Sequence, residues 1–339
     1  MATRSTLGNP AARRKILNLT GVLILGILVY SGGEPSALAQ CVSGDCLNGQ
    51  GVYRFPEGDQ YSGTFNAGRK HGSGTYTFAG SGRYTGEFAD GRKHGLGTYE
   101  SANGDRYEGE FRDDQRHGRG VYTYAGGDQY HGEFVQGLME GSGEYLFTGG
   151  DRYLGQYTQG QRQGFGVYFY ASGALYAGRF RQNLRHGEGL LFYPDGVCYC
   201  GPFDSGQRTA QGLWLPEHIQ FRPEDIAGYK TAPINKDLSA EDGSTYTGQM
   251  VAGQRHGFGE RRTVAGDYYL GSFQGGLPHG IGISILPSGA RYAGEFDGGR
   301  REGRGIETQS DGSRYSGTYR NNAKHGSGQW LYPDGTLYE

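Results

Sequence analysis

The sequence has little of what a thick core is made from. Its 339 residues include 2 Trp, 3 Met and 4 Cys, and only 35% are hydrophobic. A large enzyme with a thick two-layer core would need more Leu, Ile and Val. Charge of one sign is also missing: Lys and Arg number 33 against 35 Asp and Glu, so this is not a basic nucleic-acid binder. The apolar stretch near the start, Ile16 to Tyr30, is 15 residues long, where a spanning helix needs roughly 20. No Cys/His set has zinc-site spacing, and there is no phosphate loop, HExxH or GxSxG. What abounds is glycine, 66 residues, with 27 Tyr and 16 Phe. Glycine without a triplet period excludes collagen. An aromatic content of 13% argues against a disordered glycine-rich linker.

The start reads as an address. Arg13, Arg14 and Lys15 precede the apolar stretch, and Ala37-Leu38-Ala39 follows it as a small-residue cleavage pattern. We expect residues 1–39 to be a signal peptide and the protein to be exported to the periplasm or beyond. The alternative is an uncleaved segment anchored in the cytoplasmic membrane. The twin-arginine resemblance is weak, and Gln40 is the wrong residue for a lipoprotein box before Cys41. Cleavage would leave 29 basic and 34 acidic residues. The four cysteines are consistent with an oxidising compartment. Cys41 and Cys46 flank a short loop and are a candidate disulfide. Cys198 and Cys200 share a strand face, where a mutual bridge would be strained.

A period of 23 runs through the rest. Tyr61, Tyr84, Tyr107, Tyr130, Tyr153, Tyr176 and Tyr199 recur at that interval, and so do Tyr246, Tyr269, Tyr292, Tyr315 and Tyr338. Counting each of these tyrosines as position 1, Tyr-x-Gly-x-Phe alternates with period two and reads as a strand. A turn follows, then Gly-x-Gly-x-Tyr-x-Phe forms a second strand. Position 8 is Gly in eight of the eleven units from Tyr61 to Tyr315, and Asp114, Asn183 and Asn322 fill the rest. These residues tolerate positive φ, so position 8 is a left-handed turn position. Rings at positions 1 and 5 share a face, and the glycine between them leaves bare backbone. A cross-strand ring, Tyr76 or its equivalents, is expected to lie over it. Hairpins this rich in glycine gain stability only by stacking in an array.

The unit YTGEFADGRKHGLGTYESANGDR at 84–106 closely resembles the MORN repeat. The resemblance is strong over 61–198 and 246–337 and partial over 47–60. It implies an all-β fold: an elongated antiparallel meander of stacked β-hairpins, in two arms around an irregular insertion. The expected organisation is a cap and half repeat at 40–60, six repeats at 61–198, a degenerate repeat plus insertion at 199–245, and four repeats and a partial terminal one at 246–339. In the insertion Thr209-Ala210 replaces His-Gly, and Pro216, Pro223 and Pro233 disfavour strands.

Candidate sites follow the period. Seven of the nine histidines hold position 11, but neighbouring rungs lie ~10 Å apart, too far to share a metal. A turn-capping or ring-packing role is expected, with no metal and no cofactor. Periodic Ser, Asp and His do not converge into a catalytic site, so no enzyme is expected. The only non-periodic acid/His cluster is Glu217, His218, Glu224 and Asp225. Positions 9 and 10 carry 12 basic residues in 22 places with no acid; Arg69, Lys70, Arg92, Lys93, Arg116, Arg162 and Arg185 represent them in the first arm. They form a candidate anion-binding edge. A candidate partner-binding ladder of rings comprises Tyr76, Tyr99, Tyr122, Tyr124, Tyr145, Phe147, Tyr168 and Tyr170. The second arm lacks it, with Arg261/Thr263, Ser284/Leu286 and Glu307/Gln309 in place. The reading is a non-catalytic scaffold for protein or membrane-surface contact in the cell envelope. Alternatives are a cell-wall polysaccharide on the ladder or anionic lipid headgroups on the edge. The terminal half repeats invite end-to-end self-association.

Overall fold

Each 23-residue unit folds as one hairpin, and the hairpins pair in sequence order. The computed structural model describes residues 39–215, 234–240 and 242–339. These residues form no helix and two antiparallel meanders, one of 17 strands from Gln40–Gly44 to Leu213–Leu215 and one of 10 strands from Ile234–Ser239 to Leu337–Tyr338. The signal-peptide expectation for 1–39, up to Leu38, lies outside the described residues, as do Pro216, Glu217, His218, Pro223, Glu224, Asp225 and Pro233.

The registers explain the unit. Within a hairpin Gly63 faces Gly74 and Tyr61 faces Tyr76, and a bulge intervenes between Gly63 and Phe65; the pattern repeats at Gly86/Gly97 and Gly155/Gly166. The hairpin turn has positive φ at both central residues. Position 8 spans φ +68° to +85°, and position 7 is positive even where it is Ala67, Asp90 or Gln136. This is the turn whose twist matches paired strands. The glycine after the position-11 residue is also left-handed, as at Gly72 and Gly118.

The expected cross-strand ring over the glycines is corrected. The ring there is the unit's own first tyrosine. Tyr61 lies along its strand over both Gly63 and Gly74, where an added Cβ would come within 2.5 Å of the ring. Its hydroxyl donates to the Thr64 carbonyl at 2.9 Å. The facing glycines form a floor that no other residue pair could make. In most units this tyrosine meets the position-5 ring of its own unit and that of the next unit edge-on: Tyr61 lies 5.0 Å from both Phe65 and Phe88. Edge-to-face contact is a favoured ring geometry. The result is a buried aromatic spine along one face of the first sheet, with a matching one in the second.

The opposite face carries a second correction, to the expectation that the chain has too little Leu, Ile and Val for a thick two-layer core. Positions 2 and 15, polar in the early repeats apart from Val121, become apolar from residue 154 onward. Position 2 runs Ser62, Thr85, Glu108, His131, then Leu154, Ala177, Cys200; position 15 runs Thr75, Thr98, Val121, Glu144, then Val167, Leu190, Leu213. These apolar residues are buried against Phe258, Leu270, Ile281, Ile283, Ala293 and Ile306 of the second sheet. The two arms therefore stack face to face. Cys198 and Cys200 lie in this layer, both reduced, with sulfurs 3.1 Å apart.

Two ion pairs tie the layers. Arg179 donates to both carboxylate oxygens of Glu260 at 2.9 and 2.8 Å, and Tyr268 adds a hydroxyl donor to Glu260 at 3.0 Å. Arg291 grips Glu188 at 3.0 and 2.6 Å. Such bidentate pairs are geometrically specific, and here they fix how the sheets register.

Candidate functional site

The second-strand rings at positions 16 and 18 lie on the aromatic face and, apart from the buried Tyr76, stay partly exposed. Tyr76 and Phe78 are 4.6 Å apart, and Phe78 and Tyr99 6.0 Å. Ser101 then interrupts the row. A second run is continuous: Tyr122–Tyr124 at 4.5 Å, Tyr124–Tyr145 at 5.9 Å, Tyr145–Phe147 at 4.4 Å, Phe147–Tyr168 at 5.8 Å and Tyr168–Tyr170 at 4.5 Å. All eight predicted ladder residues fall on these two runs. Sequence reasoning left out Phe78, and also Tyr193 and Trp214, which stack at 6.1 Å farther along.

A recurrent aspartate holds the row. Asp151 accepts from the Tyr168 hydroxyl at 2.6 Å and from the Ala171 amide at 2.8 Å. Asp59 does the same for Tyr76 and Ala79, Asp105 for Tyr122 and Ala125, and Asp128 for Tyr145 and Thr148. The signal was legible: Asp at position 22 comes with Tyr at position 16 of the next unit. Burial, helped by the Asp105 bond, pushes the Tyr122 phenol up to about 12. Burial likewise raises the Tyr61 phenol to about 12. The amide and phenol donors hold the Asp105 carboxyl below its ordinary value.

The basic residues divide by position. Arg69 and Arg92, at position 9, are exposed at the sheet edge beside Asp90 and Asp113, at 3.7 and 3.3 Å. Position 10 turns back over the rings. Lys70 Nζ lies 4.1 Å from the Tyr76 ring, Lys93 5.3 Å from Tyr99, Arg116 4.8 Å from Tyr122 and Arg162 5.4 Å from Tyr168. Arg185 lies 5.1 Å from Phe203, and Arg208 4.7 Å from Trp214. Burial lowers the pKa of Lys70 and Lys93. Edge and ladder thus merge into one strip of rings and cations, with cation–π contact at each rung except that of Tyr145, where Met139 holds position 10. Clefts open between rungs: one of about 280 Å³ among Lys70, Tyr76, Phe78 and Lys93, and one of about 430 Å³ among Tyr170, Arg185, Tyr193 and Arg208.

The remaining candidates sit outside the strip. Cys41 and Cys46 are joined as a disulfide, and Cys46 packs against the aromatic spine at its N-terminal end. Position-11 side chains serve the turns: Glu140 accepts from the Gln159 amide at 2.9 Å, and His279 meets Asp297 at 3.2 Å. Among the described residues no group of three His, Cys, Asp or Glu is placed to hold a metal. In the second arm Glu307 takes the ladder position and pairs with Arg301 and Lys324, at 2.5 and 2.8 Å.

A family model described as "MORN repeat" matches residues 47–60, the six units from 61–83 to 176–198, and the four from 246–268 to 315–337. MORN repeats are typically non-catalytic modules of protein and membrane interaction. No curated protein matches the chain significantly in sequence. Among solved structures it is similar to the TCP domain of Drosophila melanogaster SAS-4 in complex with a proline-rich motif of Ana2. Identity is 13%, with 52% of this chain and 99% of that chain covered at a TM-score of 0.32. It is also similar to the TCP10 domain of Danio rerio CPAP in complex with a STIL peptide, at 11% identity, 85% and 96% coverage and a TM-score of 0.20.

Proposed function

The chain belongs to the MORN-repeat family, and from that premise we propose that it is a non-catalytic scaffold that holds an extended segment of a protein partner along the ring-and-cation strip of its first arm. The observation that carries this reading is the unbroken row from Tyr122 to Tyr170, partly exposed and backed by a rigid spine. Rings fixed by Asp bonds offer apolar area at little cost in conformational entropy, as binding surfaces do. A peptide is favoured over a lipid surface because the position-10 cations lie over the rings and do not project from the edge. The place of action proposed is the cell envelope, on the strength of the basic start, the short apolar stretch and the Ala37-Leu38-Ala39 pattern. N-terminal sequencing of the protein recovered from fractionated cells tests that placement: a mature start at Gln40 supports it, and an intact Met1 in the cytoplasm removes it.

The binding reading is tested by selecting peptides on the purified chain and repeating the measurement on Tyr124→Ser, Phe147→Ser and Tyr170→Ser combined. These rings lack the Asp bond, and Ser101 shows that the fold accepts serine at this position. Binding should fall by at least about ten-fold, or about 1.4 kcal/mol. Equal affinity for the triple variant would overturn the reading.

A further inference from the structure

We infer that the partner segment presents a carboxylate where it crosses the pocket between Tyr170 and Trp214, an inference that rests on the groove reading above. Nine units carry a cation at position 10, and seven of these cations have a carboxylate of this chain as a neighbour. Asp59 and Asp114 act on Lys70, and Asp114 on Lys93. Asp105 accepts from the Tyr122 hydroxyl beneath Arg116, and Asp151 from the Tyr168 hydroxyl beneath Arg162. Asp242 stands by Arg255, and Glu307 pairs with Arg301 and Lys324.

Among the described residues Arg185 and Arg208 are the exceptions. The acid that would face each one belongs at position 22 of the preceding unit, and those places hold Ala174 and Val197. Arg185 donates only to the Gly206 carbonyl, at 2.8 Å, and Arg208 only to the Tyr193 hydroxyl, at 2.9 Å. Neither is in an ion pair among the described residues. The two guanidiniums line one cleft of about 430 Å³ with Tyr170, Leu191, Tyr193 and Pro194, and among the described residues no carboxylate lines it. Trp214, 47% exposed, extends the ring floor beneath Arg208.

The earlier repeats show an aspartate beside such a cation, so this pocket lacks the acid that its counterparts have. An extended chain lying on the rings can supply a carboxylate to either guanidinium. A side-chain carboxylate of Asp or Glu and a C-terminal carboxylate share this chemistry.

The test uses peptides selected on the purified chain. Each binder is remade with its acids changed to Gln or Asn, and separately with its C-terminus amidated; the form that loses affinity identifies the source. We expect one change to weaken binding by about ten-fold or more. Arg185→Gln with Arg208→Gln should reduce the acidic peptide to the affinity of its neutral form, while the corresponding Lys pair retains most of the preference. Ala174→Asp, which installs the acid that Asp105, Asp128 and Asp151 represent elsewhere, should lower the preference with both arginines in place. Peptides that bind the strip with no dependence on acid or arginine overturn this inference and leave the groove reading standing. If no peptide binds at all, both fall.

Discussion

Gly74 and Gly126 are both glycines in the first sheet, yet a methyl group at each meets different surroundings. At Gly74 it would stand 2.4 Å from the Tyr61 ring, whereas at Gly126 nothing lies within 4 Å and φ is ordinary. Gly74→Ala should therefore expel a fully buried ring and cost about 1–3 kcal/mol or more, and Gly126→Ala should stay within about 0.5 kcal/mol. Urea melts of the two variants read the difference directly. Comparable midpoints would mean that the ring does not lie on the glycine floor. The same buried rings set a pH limit. Burial raises their phenols above the ordinary 10.0, to about 12 for Tyr61 and higher for Tyr84 and Tyr107. The folded state thus holds these protons more tightly than the unfolded chain. Their contribution to stability is complete below pH 10 and is lost as pH rises through the folded values. Tyrosinate absorbance and loss of the β-sheet circular dichroism signal should appear together above pH 10. Ionisation of the buried tyrosines Tyr61, Tyr84 and Tyr107 near pH 10 with the sheet intact would contradict the burial.

At the scale of the hairpin, the sequence stated most of the design. Period two in each strand, the left-handed position 8 and the stacking requirement were all readable, because each is a local rule repeated many times. The glycine floor was readable only in part. The glycines were seen to leave backbone bare, but which ring covers them depends on the facing register of Gly63 and Gly74, and spacing along the chain does not fix that. The Asp151–Tyr168 bond joins neighbouring units, so a reading one unit at a time passed over it. That bond carries a prediction. Asp151→Ala removes the acceptor for both the Tyr168 hydroxyl and the Ala171 amide, a loss of about 1–3 kcal/mol for bonds to a charged group. Hydrogen exchange at the Ala171 amide should accelerate, while amides of the 84–106 unit should not change. Unaltered protection at Ala171 would show that the turn holds itself.

At the scale of the molecule, the stacking of the arms was written in the sequence as a change of chemistry at fixed positions. It went unread because the period draws attention to what repeats. Positions 2 and 15 vary, and their switch from Ser, Thr and Glu to Leu, Ala, Cys and Val marks where one sheet covers the other. This gives a way to separate the two layers without touching either aromatic spine. Thr75 and Thr98 occupy position 15 where the first sheet is uncovered, so threonine is compatible with the hairpin itself. Leu190→Thr and Ile283→Thr together put two hydroxyls into a dry layer and remove apolar volume. Each substitution should cost roughly 2–4 kcal/mol through lost burial and an unpaired hydroxyl. The cost should fall on the contact between sheets. Arg179 and Glu260, and Arg291 and Glu188, would then lose the geometry that makes them bidentate. The measurable outcome is thiol reactivity: Cys198 and Cys200 are 0% exposed between the layers, and in the double variant they should react with a maleimide under native conditions. Peptide affinity on the Tyr122–Tyr170 row should hold, since that row is on the other face. If the cysteines stay protected while the protein melts lower, the hairpins and the stacked layer unfold as one unit. If peptide binding falls together with cysteine protection, the groove depends on the second arm as a brace.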